Sequence, residues 1–394
     1  MGREVFIAGA VRTPIGKMGG VLSSVPAVEL GAAVIREALH RSGVAAENVD
    51  EVLMGCVLQG GLGQNVARQC SMKAGIPESV PATTVNMVCG SSLKCVNLAA
   101  ALIEAGQADI VVAGGAESMS KAPFVLENAR FGYRMNDGKL VDSMVHDALW
   151  DAFNDYHMGI TAENVAERYG ISRAAQDAFA AASQQKCQRA RERGAFDEEI
   201  VPIDVKAGKK SFTVTADEGP RDGVTAEGIS ALRPAFKPEG TVTAANASGI
   251  NDGAAAVVLI SAEKAAELGI KPMARYIAGA CAGVAPEIMG IGAGAAAKKL
   301  LDKLGMTAED MTLIEANEAF ASQSIASARI AGWDGCMDKV NVNGGAIALG
   351  HPVGASGCRI LVTLLYELRR RGGGKGLATL CIGGGMGVSA MVEI

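Results

Sequence analysis

One stretch of this 394-residue chain occurs twice. Ile35-Arg36-Glu37-Ala38-Leu39 leads into Gly43-Val44-Ala45-Ala46-Glu47-Asn48-Val49, and Ala297-Lys298-Lys299-Leu300-Leu301 leads into Gly305-Met306-Thr307-Ala308-Glu309-Asp310-Met311. One offset aligns Gly43 with Gly305 and Glu47 with Glu309, and each copy reads as helix, glycine stop, turn and strand. Many helix-to-strand connections share that outline, but the run of matched positions favours an internal duplication. Two copies of one α/β unit place their loops along a shared pseudo-two-fold axis, where sites often form.

The rest of the first copy supports this reading. Residues 28–41 predict a helix closed by Gly43, 49–54 a strand, 65–73 a helix ending at Gly75, and 109–113 another strand. Such alternation predicts a largely parallel sheet with helices on both faces. From Lys121 to about Thr243 the texture changes, with more charge, more Met and most of the aromatics. Within it, residues 162–194 are strongly helical with Ser172 as a candidate N-cap, and 208–223 are polar and glycine-rich. This segment reads as an insertion over the first unit and a place for substrate contacts. Residues 254–260 return to buried-strand composition. The expected organisation is therefore a first half from 1–120 plus 244–270, an inserted loop domain at 121–243, and a second half at 271–394.

Bulk properties narrow the function. The net charge of −5 argues against a general binder of nucleic acid or of a membrane surface. No Cys-x-x-Cys occurs among the nine cysteines, and only four His are available, which argues against a zinc site. An odd, scattered set of cysteines also opposes a disulfide framework and fits a reducing cytoplasm. The start runs directly into Val5-Phe6-Ile7-Ala8, unlike a signal peptide, and the longest apolar run, 254–260, is too short to span a bilayer. Neither a myristoylation pattern after Gly2 nor a peroxisomal address at the Met-Val-Glu-Ile end is present.

Four stretches carry chemistry. In the first, a β-branched segment, Thr83-Thr84-Val85, breaks at Cys89-Gly90-Ser91 before a helical run that ends near Gly106. A thiol at a helix N-terminus faces unpaired N–H groups and the positive end of the dipole, so a lowered Cys89 pKa is expected. The bland alternative is a small buried hydrophobe. The second stretch, residues 343–357, holds His351 among five glycines, pinned by Pro352 and followed by a helix from 358 to 371. An imidazole there is a candidate acceptor for a thiol proton. The third is Cys381-Ile382-Gly383-Gly384-Gly385, after a strand at 377–380, where a second thiol sits in a glycine nest suited to anion stabilisation. The fourth is Glu315-Ala316-Asn317-Glu318-Ala319-Phe320, a strand-to-helix junction whose Asn can donate a hydrogen bond.

In this order, Cys89-Gly90-Ser91, Asn317-Glu318-Ala319-Phe320, Gly350-His351-Pro352 and Cys381-Ile382-Gly383-Gly384-Gly385 resemble the motif set of the thiolases. More narrowly they are similar to the short-chain acetoacetyl-CoA thiolases, the acetyl-CoA acetyltransferases. The likeness spans essentially the whole chain and includes Arg12-Thr13-Pro14, Tyr156-His157-Met158-Gly159 and Asn246-Ala247-Ser248-Gly249. Ser92 and Cys95 depart from it, standing where many relatives carry Gly and Ala. The resemblance implies the thiolase fold: two duplicated βαβαβαββ halves in a five-layered α-β-α-β-α core, with an inserted loop domain that binds CoA.

The resemblance also assigns roles. Cys89 is expected to accept the acyl group from an acyl-CoA, with His351 taking its proton. Cys381 is expected to remove the α-proton of a second acetyl-CoA, whose enolate attacks the acyl-enzyme to give acetoacetyl-CoA. Asn317, through a water, and His351 are expected to hold the enolate oxygen, and the N–H groups of Cys89 and Gly383 the tetrahedral oxyanion. For CoA the family points to Leu149, His157, Arg221, Phe236, Ala244, Ser248 and Phe320, and for closing the acyl pocket to Met158 and Met289. Acetyl-CoA, acetoacetyl-CoA and CoA are the implied partners, a homotetramer the implied assembly, and no resident cofactor or metal is expected.

Other classes fit less well. A ketoacyl synthase-like enzyme uses a second His where Cys381 stands. A serine hydrolase needs a Gly-x-Ser-x-Gly elbow, which does not occur. A catalytically dead scaffold is expected to lack one of Cys89, His351 or Cys381. A broader-range 3-ketoacyl-CoA thiolase of fatty-acid degradation remains the alternative within the family.

Overall fold

Each copy of the repeated unit supplies one half of a ten-stranded sheet. The computed structural model describes residues 2–208 and 210–394; Lys209, within the polar stretch 208–223, lies outside them. The first half begins with β1 (Val5–Arg12), α1 (Ala27–Ser42), β2 (Glu51–Gly55), α2 (Val66–Ala74), β3 (Ala82–Val85), α3 (Ser91–Glu104) and β4 (Ile110–Ser118). An insertion containing α4 (Met158–Arg168) and α5 (Arg173–Glu192) precedes its last strand, β5 (Asn251–Ser261). The second half repeats the sequence as β6 (Ala274–Gly283), α6 (Gly292–Leu304), β7 (Leu313–Ala316), α7 (Ala321–Ala331), α8 (Ser356–Arg370), β8 (Lys375–Ile382) and β9 (Met386–Glu393). Its counterpart of β3 shrinks to Val340, which bridges Ile314 in parallel.

The strand order is β7-β8-β9-β6-β1-β5-β4-β2-β3, with the short strand Gly16–Lys17 paired beside β5. The halves meet where Val5, Phe6 and Ile7 pair antiparallel with Tyr276, Arg275 and Ala274. The expectation of a largely parallel sheet is corrected here. β2 is parallel to β3 and β4, and β7 to β8. β5, however, is antiparallel to β1 and β4, and β9 to β6 and β8. In the second half β8 and β9 have no crossover helix, and the direct glycine turn 383–385 between them can only join antiparallel neighbours; in the first half β5 returns antiparallel beside β4 after the insertion.

Strand alternation divides the core into layers. Val111, Ala113, Val257 and Leu259 point inward to Leu93, Val96, Ile360 and Leu364, as do Leu380 and Val388 from the second half. Their neighbours Val112, Val258 and Ile260 face the other way, against Val28, Val34 and Ile35 of α1. On the far side, Leu377 and Met391 pack on Leu300 and Leu301 of α6. Helices α3 and α8 thus form the middle of five layers, sandwiched between the two half-sheets. Each fully buried Leu or Ile there contributes roughly 1.5–3 kcal/mol, and α8 is buried on nearly every side, its Arg359, Thr363 and Glu367 included.

The insertion contains α4, α5 and a short helix at Ala226–Ser230, and Ser172 caps α5, its Oγ accepting from the Ala175 N–H at 3.2 Å. It lies across both halves. Ser322 Oγ donates to the Ala162 carbonyl at 2.9 Å, and Ser183 Oγ donates to Glu318 Oε2 at 2.6 Å. Arg12, fully buried at the end of β1, donates to Glu199 at 2.5 Å and to both Asp217 oxygens at 2.7 and 2.9 Å. The Arg12-Thr13-Pro14 motif therefore ties the first half to the insertion above it.

Candidate active site

The middle-layer helices set the site, because α3 and α8 begin side by side. Ser92 Oγ accepts from the Cys358 N–H at 2.9 Å, linking their first turns. Cys89 stands just before α3, in a turn where Val88 adopts φ +46°. That region is strained for a β-branched residue. The turn is held locally: the Val88 N–H donates to Asn86 Oδ1 at 2.9 Å, and Ser91 Oγ donates to the Val88 carbonyl at 2.6 Å. A Cβ on Gly90 would lie 2.3 Å from Ile382 Cδ1, so glycine there lets the β8–β9 hairpin reach the Cys89 turn.

The electrostatics correct one expectation. Burial pushes the Cys89 thiol up to about 11, although the N–H groups of Gly383 and of Cys89 itself pull it down. Loss of hydration outweighs the helix terminus. Burial, with the nearby Arg359 charge, pushes His351 down to about 3. Cys381 is also raised, first by burial and then by Cys89. At rest the site holds two thiols and a neutral imidazole. Alkylation of Cys89 by iodoacetamide, followed by peptide mapping, is therefore expected to speed up about tenfold per pH unit as the thiolate fraction grows. A rate already level at neutral pH would show a depressed pKa instead.

A cavity of about 330 Å³ is lined by Cys89, His351 and Gly383. Leu149, His157, Met158, Phe236, Ala244, Ser248, Met289 and Phe320 also line it. His157 stacks on Phe236 with ring centroids 4.7 Å apart, and Phe236 meets Phe320 edge-on at 6.3 Å. A Cβ on Gly159 would lie 2.2 Å from the Phe236 ring, which accounts for glycine at that place. His157 caps α4, its Nδ1 accepting from the Gly159 N–H at 3.0 Å. Arg221 lies elsewhere, in an adjoining cavity with Lys17 and Gln184 that shares Ala244, Ala247, Gly249 and Ile250 with the first.

Cys381 and Asn317 sit behind the cavity wall. Cys381 is buried in one apolar cluster with Met158, Met289, Ala319 and Phe320. Asn317 is fully buried, its Nδ2 3.5 Å from both ring nitrogens of His351 and its Oδ1 without a protein partner. The Ser248 N–H donates to the Ala319 carbonyl at 2.9 Å, joining the loop after the insertion to the Asn317 junction.

Sequence reasoning missed the supports of His351. Asn251 Oδ1 accepts from the His351 N–H at 2.9 Å, and Ser356 Oγ lies 2.5 Å from His351 Nδ1. The buried Glu117 carboxylate accepts from Val57, Leu58 and Gly354 N–H groups at 2.9, 3.1 and 2.9 Å, fastening the histidine loop to the loop after β2. None carries a motif of its own; a serine in the first turn after Gly350-His351-Pro352 was the one available signal. Among the described residues, no cluster of three His, Cys, Asp or Glu side chains is placed to hold a metal ion.

Comparison with known proteins agrees with this architecture. Residues 5–263 match the thiolase N-terminal domain and residues 270–394 the thiolase C-terminal domain, so the chain belongs to the thiolase family. It is 59% identical to an acetyl-CoA acetyltransferase of Syntrophomonas wolfei subsp. wolfei, over 100% of both chains. It is 58% identical to one from Cupriavidus necator, over 99% of each. The crystal structure of the Bacillus anthracis acetyl-CoA acetyltransferase superposes with a TM-score of 0.97 at 44% identity, covering 100% of this chain and 99% of that one.

Proposed function

We infer that this chain is an acetyl-CoA C-acetyltransferase, condensing two acetyl-CoA reversibly to acetoacetyl-CoA and CoA. The observation that carries the reading is one cavity lined by Cys89, His351 and Gly383 and backed by Cys381. Full-length relatives at 52–59% identity named acetyl-CoA acetyltransferase support it over a broad-range thiolase. Met158 and Met289, both buried, wall the cavity and support the short-chain reading.

The resting protonation states give a balanced sequence. Cys89 attacks the thioester carbonyl as its proton passes to His351, and the Gly383 and Cys89 N–H groups stabilise the oxyanion. Cys381 gives its proton to the departing CoA sulfur. An acetyl-cysteine then remains beside a Cys381 thiolate and a His351 imidazolium. The thiolate takes the α-proton of the second acetyl-CoA while the imidazolium, and Asn317 through a water, hold its enolate oxygen. Carbon–carbon bond formation expels Cys89, which recovers its proton from His351. These side chains supply nucleophile, base and donors, so the reaction needs no resident cofactor; CoA is product or substrate.

The apolar rings of His157, Phe236 and Phe320 suit the pantetheine arm, and Arg221 with Lys17 suits the adenosine phosphates at the outer cavity. No helix among the described residues is long and apolar enough to cross a membrane. A reducing cytoplasm accommodates nine free cysteines. Phe124, Phe131, Met135 and Leu140 are exposed on the insertion and offer the apolar surface for a homotetramer, which light scattering reads directly.

The decisive test is incubation with radiolabelled acetyl-CoA. Label is expected on the Cys89 peptide and is expected to leave when CoA is added, alongside thiolysis of acetoacetyl-CoA. Absence of both covalent label and thiolysis would overturn the assignment.

A further inference from the structure

We propose that Ser356 is a positioning residue that sets the tautomer of His351, keeping the proton on Nδ1 and leaving Nε2 as the atom that accepts the Cys89 proton. This rests on the reading of His351 as the base for Cys89. Ser356 is the first residue of α8 and fully buried. Its Oγ has two polar neighbours: the Pro352 carbonyl oxygen at 2.9 Å and His351 Nδ1 at 2.5 Å.

A hydroxyl has one proton to place between them. If it points at Nδ1, two oxygens face each other at 2.9 Å with no hydrogen between, a repulsive contact inside the protein. If it points at Pro352, the serine lone pair is free to accept from an Nδ1–H. Each short contact then contains one proton. Only this second arrangement is free of conflict, so the ring is protonated at Nδ1.

The other neighbours of the ring do not oppose this choice. Asn317 Nδ2 is equidistant from both ring nitrogens at 3.5 Å, the position of a group packed against the imidazole rather than bonded along one lone pair. Asn251 holds the backbone N–H of His351 and fixes where the ring starts, not which nitrogen is protonated. In the acylation step the thiol proton passes to Nε2, the sulfur keeps the bonding pair and attacks, and the imidazolium retains its Nδ1–H bond to Ser356.

The tautomer can be read directly in protein labelled with 15N-histidine, because the chain has only four His and His351→Gln identifies the signal. In the wild type, Nδ1 is expected to appear protonated and Nε2 as the bare, pyridine-like nitrogen. Ser356→Ala is expected to move the equilibrium toward Nε2–H and lower kcat for acetoacetyl-CoA thiolysis about tenfold or more. KM should hold within about twofold, because no substrate contact is lost. Ser356→Thr, which restores the hydroxyl, is expected to recover both signals. A wild-type Nε2–H tautomer, or an unchanged kcat in Ser356→Ala, overturns the proposal. Retained thiolysis in His351→Ala would instead sink the reading of His351 as the base, while the wild-type spectrum still decides the tautomer.

Discussion

Cys381→Ala is expected to split the reaction into its halves. Acetyl transfer to Cys89 should continue, whereas α-proton exchange of acetyl-CoA and carbon–carbon bond formation should fall about 10²–10⁴-fold, the range lost with a general base. The division follows from position. Cys381 is 1% exposed and lies in the wall shared with Met158, Met289 and Phe320, whereas Cys89 lines the cavity itself. Burial keeps Cys381 protonated at rest, and ionisation of Cys89 would raise it further. Acylation needs it only as a proton donor to the leaving CoA sulfur, which water and His351 can partly replace. In the proposed mechanism condensation needs the Cys381 thiolate, because Cys89 then carries the acetyl group and His351 the proton. Single-turnover labelling and deuterium exchange from acetyl-CoA measure the two halves separately. Equal loss of both would make Cys381 a structural residue, and retention of both would assign the base elsewhere.

Thiolysis is expected to fall steeply between acetoacetyl-CoA and 3-ketohexanoyl-CoA. Met158 and Met289 are 6% and 3% exposed and line the cavity on the side of Cys381. A Cβ on Gly383 would sit 3.6 Å from the Met158 sulfur, so this side chain lies close to Gly383. An added methylene normally gains about 1 kcal/mol in an open apolar pocket; here it meets two packed thioethers. Met289→Ala should reverse the order, raising kcat/KM for the six-carbon substrate about tenfold relative to acetoacetyl-CoA. It should also cost roughly 2–5 kcal/mol of stability through the cavity it leaves. Flat or rising kcat/KM along the wild-type series would make the chain a broad-range thiolase and leave both methionines as packing.

Much of the site was legible locally because its parts are turns. Glycines at 90, 350 and 383–385 and the helix starts after Cys89 and His351 act over a few residues, so residue type and spacing reveal them. The duplication was legible for the same reason: the helix stop at Gly43 and its counterpart at Gly305 both take the left-handed conformation, at φ 71° and 65°. The family motifs then named the partners that no local rule joins.

What the chain alone determined is therefore the order of its α/β units, their repetition, and the identity of the thiols and imidazole at their turns. Tertiary structure decided how those groups behave. A helix N-terminus lowers a thiol pKa, but burial beneath the hairpin at Gly383 raises Cys89 further than the terminus can lower it. Strand direction changed because β5 returns beside β4 only after the insertion, a pairing set by residues more than a hundred positions apart. Arg221 entered the adjoining cavity rather than the one holding Cys89, as the path of the insertion dictated. The proton on His351 is placed by two distances around Ser356. Burial, pairing and hydrogen-bond distance arise between segments remote in sequence, so they come into being only once the layers close.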